Sequence, residues 1–139
     1  MEVTWDDVQR ILKQTKTIAV VGLSDKPDRD SYQIASYLQQ QGYRIIPVNP
    51  RVNEVLGEKA YPSLRDVPDP VDVVDIFRRS EDVPPIVEDA IAIGAKVVWM
   101  QAGIVNEAAA ARARAAGLAV IMDACMRSAH RTLRASGRI

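Results

Sequence analysis

Cysteine occurs once in the chain, at Cys125, histidine once, at His130, and phenylalanine once, at Phe77. A single cysteine excludes an internal disulfide and fits a reducing compartment. No apolar run approaches the ~18 residues that span a bilayer. Neither sign of charge prevails: 18 basic and 18 acidic residues leave a formal net charge of zero. That excludes a nucleic-acid binder working through bulk charge, but leaves room for one local cationic site. The start, "MEVTWDDVQR", is acidic and polar and lacks the basic and apolar segments of a signal peptide. These absences together predict a soluble cytoplasmic protein without nucleic-acid or membrane partners. No cluster has metal-ligand spacing, and neither the G-x-G-x-x-G fingerprint nor a P-loop is present.

What is present is an ordinary globular mix, 47% apolar and 26% charged over 139 residues. That suffices for one domain with its own core. Three segments share one layout, a helix-like stretch closed by glycine and followed at once by an apolar run. They are "SYQIASYLQQQG" into "YRIIPV", "PPIVEDAIAIG" into "AKVVWM" and "NEAAAARARAAG" into "LAVIM". The closing glycines suit the left-handed residue that ends a helix. Ser31 and Asn106 are plausible N-caps, and Asp82 precedes Pro84 at a third helix start.

Two further runs, "TIAVVG" and "VDVVDIF", bring the strands to five: 17–22, 43–48, 71–77, 95–100 and 118–122. They are short, rich in Val and Ile, and mostly without alternation. That is the signature of parallel strands covered on both faces. The expectation is an α/β, Rossmann-like, doubly wound five-stranded parallel sheet, order 3-2-1-4-5, with helices on both faces. Residues 1–14 read as an extra helix with Thr4 and Asp7 as a capping box. Residues 49–70 carry four prolines and read as an irregular crossover. Residues 124–139 read as a basic tail with Arg127, Arg131, Arg134 and Arg138. The chain is expected to form a single domain over 1–139.

Ligands of open parallel sheets bind beyond the carboxyl ends of the strands, where strand order reverses. The expected order puts that point between the first and fourth strands. After the first strand, Gly22 permits a tight turn, and Leu23, Ser24, Asp25 and Lys26 lead towards a helix N-terminus that favours anions. After the second strand, where NAD would need an acid, stand Asn49, Pro50 and Arg51. An arginine there suits a phosphorylated ribose, as in NADP or coenzyme A. Phe77, Arg78 and Arg79 follow the third strand; Gln101, Ala102, Gly103 and Ile104 follow the fourth.

These motifs are similar, in order and spacing, to the small stand-alone CoA-binding proteins. The resemblance rests on "IAVVGLSDKPDRDSY", "GYRIIPVNPRVNEVLGEKAYPSL", "PVDVVDIFRR" and "GAKVVWMQAGIVNEAAAARARAAGLAVIMDAC". It extends to the N-terminal domain of the succinyl-CoA synthetase α subunit. The resemblance implies CoA or an acyl-CoA as ligand. It puts the phosphates on Gly22 to Ser24 and the adenosine 3′-phosphate near Pro50 and Arg51. The nucleotide falls between Phe77 and Arg78, and the pantetheine arm near Gln101 to Ile104.

No nucleophile and base are paired in the sequence, so a binding protein rather than an enzyme is expected. His130 is expected at the surface or an interface. Cys125 is a candidate for mixed-disulfide formation with the ligand thiol, set against an inert, buried role. Two other readings compete: an NADP-dependent reductase, and an interaction domain using the Ala-rich helix or the basic tail for a protein partner or homo-oligomer.

Overall fold

The computed structural model describes residues 3–139, so Met1 and Glu2 fall outside the described part of the predicted first helix. The elements run α1 (Trp5–Gln14), β1 (Thr17–Val21), α2 (Asp30–Gln40), β2 (Arg44–Val48), β3 (Glu54–Val55), β4 (Glu58–Lys59), β5 (Val73–Ile76), α3 (Val83–Ala92), β6 (Val97–Met100), α4 (Glu107–Ala115), β7 (Ala119–Ile121) and α5 (Met126–Ala135). The main sheet has five parallel strands. Residues between β2 and β5 form a two-stranded hairpin, β3–β4, and a single 3-10 turn, Leu64–Asp66, instead of a helix.

Side chains alternate between two apolar layers. Ile18 and Val20 of β1 pack with Leu12 of α1, Leu38 of α2 and Leu133 of α5. Ala19 and Val21 turn to the opposite layer, where Val87 of α3 and Ala110 of α4 cover the sheet. Helices therefore lie on both faces, as expected of a doubly wound α/β fold. Both predicted side-chain caps at Thr4 and Asn106 form: Thr4 and Asp7 make a reciprocal box, and Asn106 accepts from Ala109 N. Ser31 is not a cap. It is the second residue of α2, whose N-cap is Arg29.

The strand order differs from the expectation. It is β2-β1-β5-β6-β7, or 2-1-3-4-5 counting the sheet strands alone. The third sheet strand lies beside the first, with Ile18 opposite Val73 and Val21 opposite Ile76. Pro47 gives the physical reason. It lacks the N–H that a central strand spends on each neighbour, so β2 belongs at an edge. Order 3-2-1-4-5 would have buried it in the middle. On β2's outer side, among the described residues, only Tyr61 bridges Val48, donating its N–H to Pro47 O at 3.0 Å. The reversal of strand order accordingly lies between β1 and β5.

The basic tail folds into α5, an amphipathic helix that buries Met126, Ala129, His130 and Leu133. His130 is thus not a surface residue. Its Nδ1 lies 2.8 Å from the Tyr37 hydroxyl, and its ring meets those of Tyr37 and Tyr43 edge-on. Burial, aided by Arg134, holds its pKa below the usual imidazole value.

Candidate functional site: the cleft over β1 and β5

Gly22 follows β1 directly and donates its N–H to Val48 O at 2.8 Å. Its φ is +87°, and a Cβ there would sit 2.4 Å from the Phe77 carbonyl oxygen and 3.2 Å from Arg78 Nε. Only glycine allows this crossing, in conformation and in space. The chain then turns Leu23 fully into the core. Asn49, itself nearly buried, fastens two loops: its Nδ2 donates to Leu23 O at 3.0 Å and its Oδ1 accepts from Arg51 N at 2.9 Å. Ser24 N donates to Ser31 Oγ at 3.1 Å, and Ser24 Oγ accepts from Lys26 N at 3.1 Å. The first loop is thereby tied to the start of α2. That helix has no side-chain cap, so the N–H groups of its first turn remain available to an anion.

A cavity of about 820 Å³ opens over this crossing, bounded by the loop from Gly22 to Ser31, by Asn49, Arg51 and Val52, and by Phe77 and Arg78. Lys26, Arg29, Arg51 and Arg78 bring positive charge to it, and Asp25, Asp28 and Asp30 negative charge. Among the described residues none of these seven forms an ion pair. Cations facing a cleft without partners are suited to phosphate oxygens, which take the planar arginine fork bidentately. Arg78 also borders a second hollow of about 340 Å³, lined by Pro50, Leu64 and Ile86. Arg78 is the one residue the two linings share among the described residues.

Of the residues singled out in the sequence, Gly22, Ser24, Asp25, Lys26, Asn49, Arg51, Phe77 and Arg78 meet in the cleft. Pro50 faces the smaller hollow. Arg79 turns outward to Asp82 and Glu81, at 3.2 and 3.4 Å. Gln101, Ala102, Gly103 and Ile104 do not line the cleft. The corrected strand order puts β6 one strand beyond the reversal point. Their loop folds instead onto the segment after β7: Gly103 N donates to Asp123 Oδ1 at 2.7 Å, and Asp123 N donates to Ile104 O at 3.2 Å. Ile104 packs against the core. Cys125 is half-buried at the N-cap of α5, also outside the cleft lining.

Sequence reasoning passed over Asp75. It is completely buried in the middle of the sheet, in register with Val20 and Trp99. Gln101, itself buried, donates its Nε2 to Asp75 Oδ1 at 2.6 Å, and Met126 N, at the start of α5, lies 3.4 Å from Gln101 Oε1. Asp75 Oδ2 has no partner among the described residues. Burial pushes the carboxyl up to about 7, against the opposing hydrogen bond from Gln101. The available signal was a lone acid inside the apolar run "VVDIF". Gln101, read as a ligand contact, instead links this acid to α5.

A family model described as "CoA binding domain" matches residues 16–131. The chain belongs to that family. This CoA-binding-domain protein is 47% identical over 124 residues to the uncharacterized protein YneT of Bacillus subtilis, a match covering 89% of this chain and 92% of YneT. Its fold is that of a hypothetical protein from Pyrococcus horikoshii, with a TM-score of 0.92, 44% identity, and coverage of 95% and 93% of the two chains. It is also 35% identical over 89 residues to an ADP-forming acetate–CoA ligase of Archaeoglobus fulgidus, which matches 63% of this chain but spans only 13% of the ligase. Among the described residues no helix is long and apolar enough to cross a membrane.

Proposed function

We propose that the chain binds CoA or an acyl-CoA in the cleft over β1 and β5, and that its role is to hold this ligand rather than to transform it. The observation that carries the reading is the set of unpaired cations, Arg51 and Arg78 foremost, around a glycine turn and an uncapped helix start. In this reading the diphosphate rests on the backbone of Gly22 to Ser24 and the first turn of α2, with Lys26 beside it. Arg51 meets the ribose 3′-phosphate, while Phe77 and Arg78 flank the nucleotide. Ala102 and Gly103, exposed one strand beyond the cleft lining, meet the pantetheine arm where it extends past the cleft. Leu23 and Gln101 support from within, since both side chains face the interior. The likeness to acetate–CoA ligases of the ADP-forming type agrees with a CoA ligand.

Thermal unfolding with CoA, dephospho-CoA, NADP and NAD tests the reading. A ligand at a hundred times its Kd adds about 2.7 kcal/mol. For a domain of this size that raises Tm by about 5–15 °C. The expected result is a clear rise with CoA and a smaller one with dephospho-CoA. A rise with NADP alone would replace CoA with a nicotinamide ligand, and no rise with any of the four would refute a nucleotide site.

A further inference from the structure

The edge of the sheet remote from the cleft carries a second concave surface. β7 is its last strand. Ala119 spends its N–H on Lys96 O at 3.0 Å, so in a parallel ladder Val120 turns its own amide to the free edge. Over this edge, between α1 and α5, lies a hollow of about 550 Å³. Trp5 and Val8 form one wall, Ile121 and Met122 the base, and Ala129 the far side, with the buried Trp99 beneath. A further hollow of about 530 Å³ continues along the same edge, sharing Val3, Arg114 and Val120 and adding Arg10 and Lys96. The lining thus passes from apolar to cationic along the groove.

The charges decide what fits. Arg10 is paired with Asp7 at 2.7 Å and Lys96 with Asp72 at 3.4 Å. Asp7, the one carboxylate on the lining among the described residues, is also held by Thr4. Arg114 stands at the junction of the hollows, half-buried, and its guanidinium makes no hydrogen bond or ion pair among the described residues. Its neighbour Arg112, by contrast, is bound through two nitrogens to Glu88. Trp5 remains 50% exposed at the mouth of an apolar hollow. A pocket of a few hundred Å³ with apolar walls and one placed cation is built for a small ligand of mixed character.

We propose that this groove binds a small amphipathic carboxylate, its alkyl or aryl body against Trp5, Val8 and Met122 and its carboxylate on Arg114. The site is separate from the nucleotide cleft and does not depend on it. Both tryptophans of the chain border the hollow, so their fluorescence reports occupancy directly. Decanoate, kept below its micelle concentration, is titrated into the intact chain alongside decyltrimethylammonium as the cation of equal length. The expected result is saturable one-to-one binding of decanoate, none of the cation, and an affinity about tenfold weaker in Arg114→Gln. Trp5→Ala, at a half-exposed position, should weaken binding by calorimetry while leaving the unfolding temperature nearly unchanged. Excess CoA should leave decanoate binding unaltered. Equal response to the cation, or an unchanged affinity in Arg114→Gln, would overturn the proposal. Displacement of decanoate by CoA would place the anion in the cleft and overturn it too. A concentration-dependent dimer that excludes decanoate would show that a second copy fills the groove, against the proposal.

Discussion

Replacing Asp75 by Asn should stabilise the protein at alkaline pH relative to acid, and the structure supplies the size of the effect. Asp75 titrates at about 7 in the folded chain, against an ordinary 3.8. Its folded pKa is raised, so between those values the native state keeps a proton that the unfolded state has given up. Stability therefore falls as pH rises from about 4 to 7 and levels off above. Asn cannot ionise but keeps an Oδ1 to accept from Gln101. Its Nδ2 takes the place of the partnerless Oδ2, at a cost of roughly 1–3 kcal/mol that does not vary with pH. Comparing wild type and Asp75→Asn at pH 5 and at pH 8 cancels this constant cost. About two pH units of the shift remain above pH 5, worth about 3 kcal/mol as an upper figure. His130 acts with the opposite sign. Its pKa is lowered by burial, so its contribution is lost as pH falls below the ordinary imidazole value. Both proteins carry His130, and it drops out of the comparison. Urea unfolding at the two pH values is the assay. A difference between the proteins that is equal at pH 5 and pH 8 would refute a proton-holding Asp75.

Three further outcomes follow from the same geometry. Gly22→Ala should cost at least about 2 kcal/mol, because the new Cβ collides with the Phe77 carbonyl at a positive φ, and should remove the CoA-induced rise in Tm. Arg51→Ala should leave unfolding without ligand nearly unchanged, since the side chain is exposed, yet weaken CoA about tenfold towards the level of dephospho-CoA; calorimetric titration reads this directly. Tyr37→Phe should cost about 1 kcal/mol by removing the hydroxyl that His130 meets at 2.8 Å, measured by urea unfolding near pH 7.5, where the imidazole is neutral.

Much of the architecture was legible because it rests on local patterns. Apolar runs without alternation gave five strands buried on both faces, and the closing glycines at 42, 94 and 117 all have positive φ. The cap at Asn106 and the box at Thr4 follow from side-chain chemistry three residues deep. Strand order is a property of pairings between distant segments, and the local pattern does not carry it. Pro47 did carry a hint, because a strand with a missing donor belongs at an edge. The tail was misread for a related reason. Counting four arginines hides the period that sets Met126, Ala129, His130 and Leu133 on one face of α5.

The same correction determines which cations can act together. In the expected order the loops after the first and fourth strands would share the crevice, and "QAGI" would be its second wall. In the observed order β5 takes that place, and with it come Phe77 and Arg78. Gly22 is the consequence at atomic scale. The loop after β1 must cross the end of β5 so closely that no Cβ fits, which brings its backbone within reach of the Arg78 guanidinium. Arg78 and Arg51 both border the cleft over that loop. Gln101, displaced by one strand, is freed for a different task, holding Asp75 to the first turn of α5. One pairing choice, favoured by a proline in β2, thus gathers the cations of the cleft and leaves a buried acid as a support of the sheet behind it.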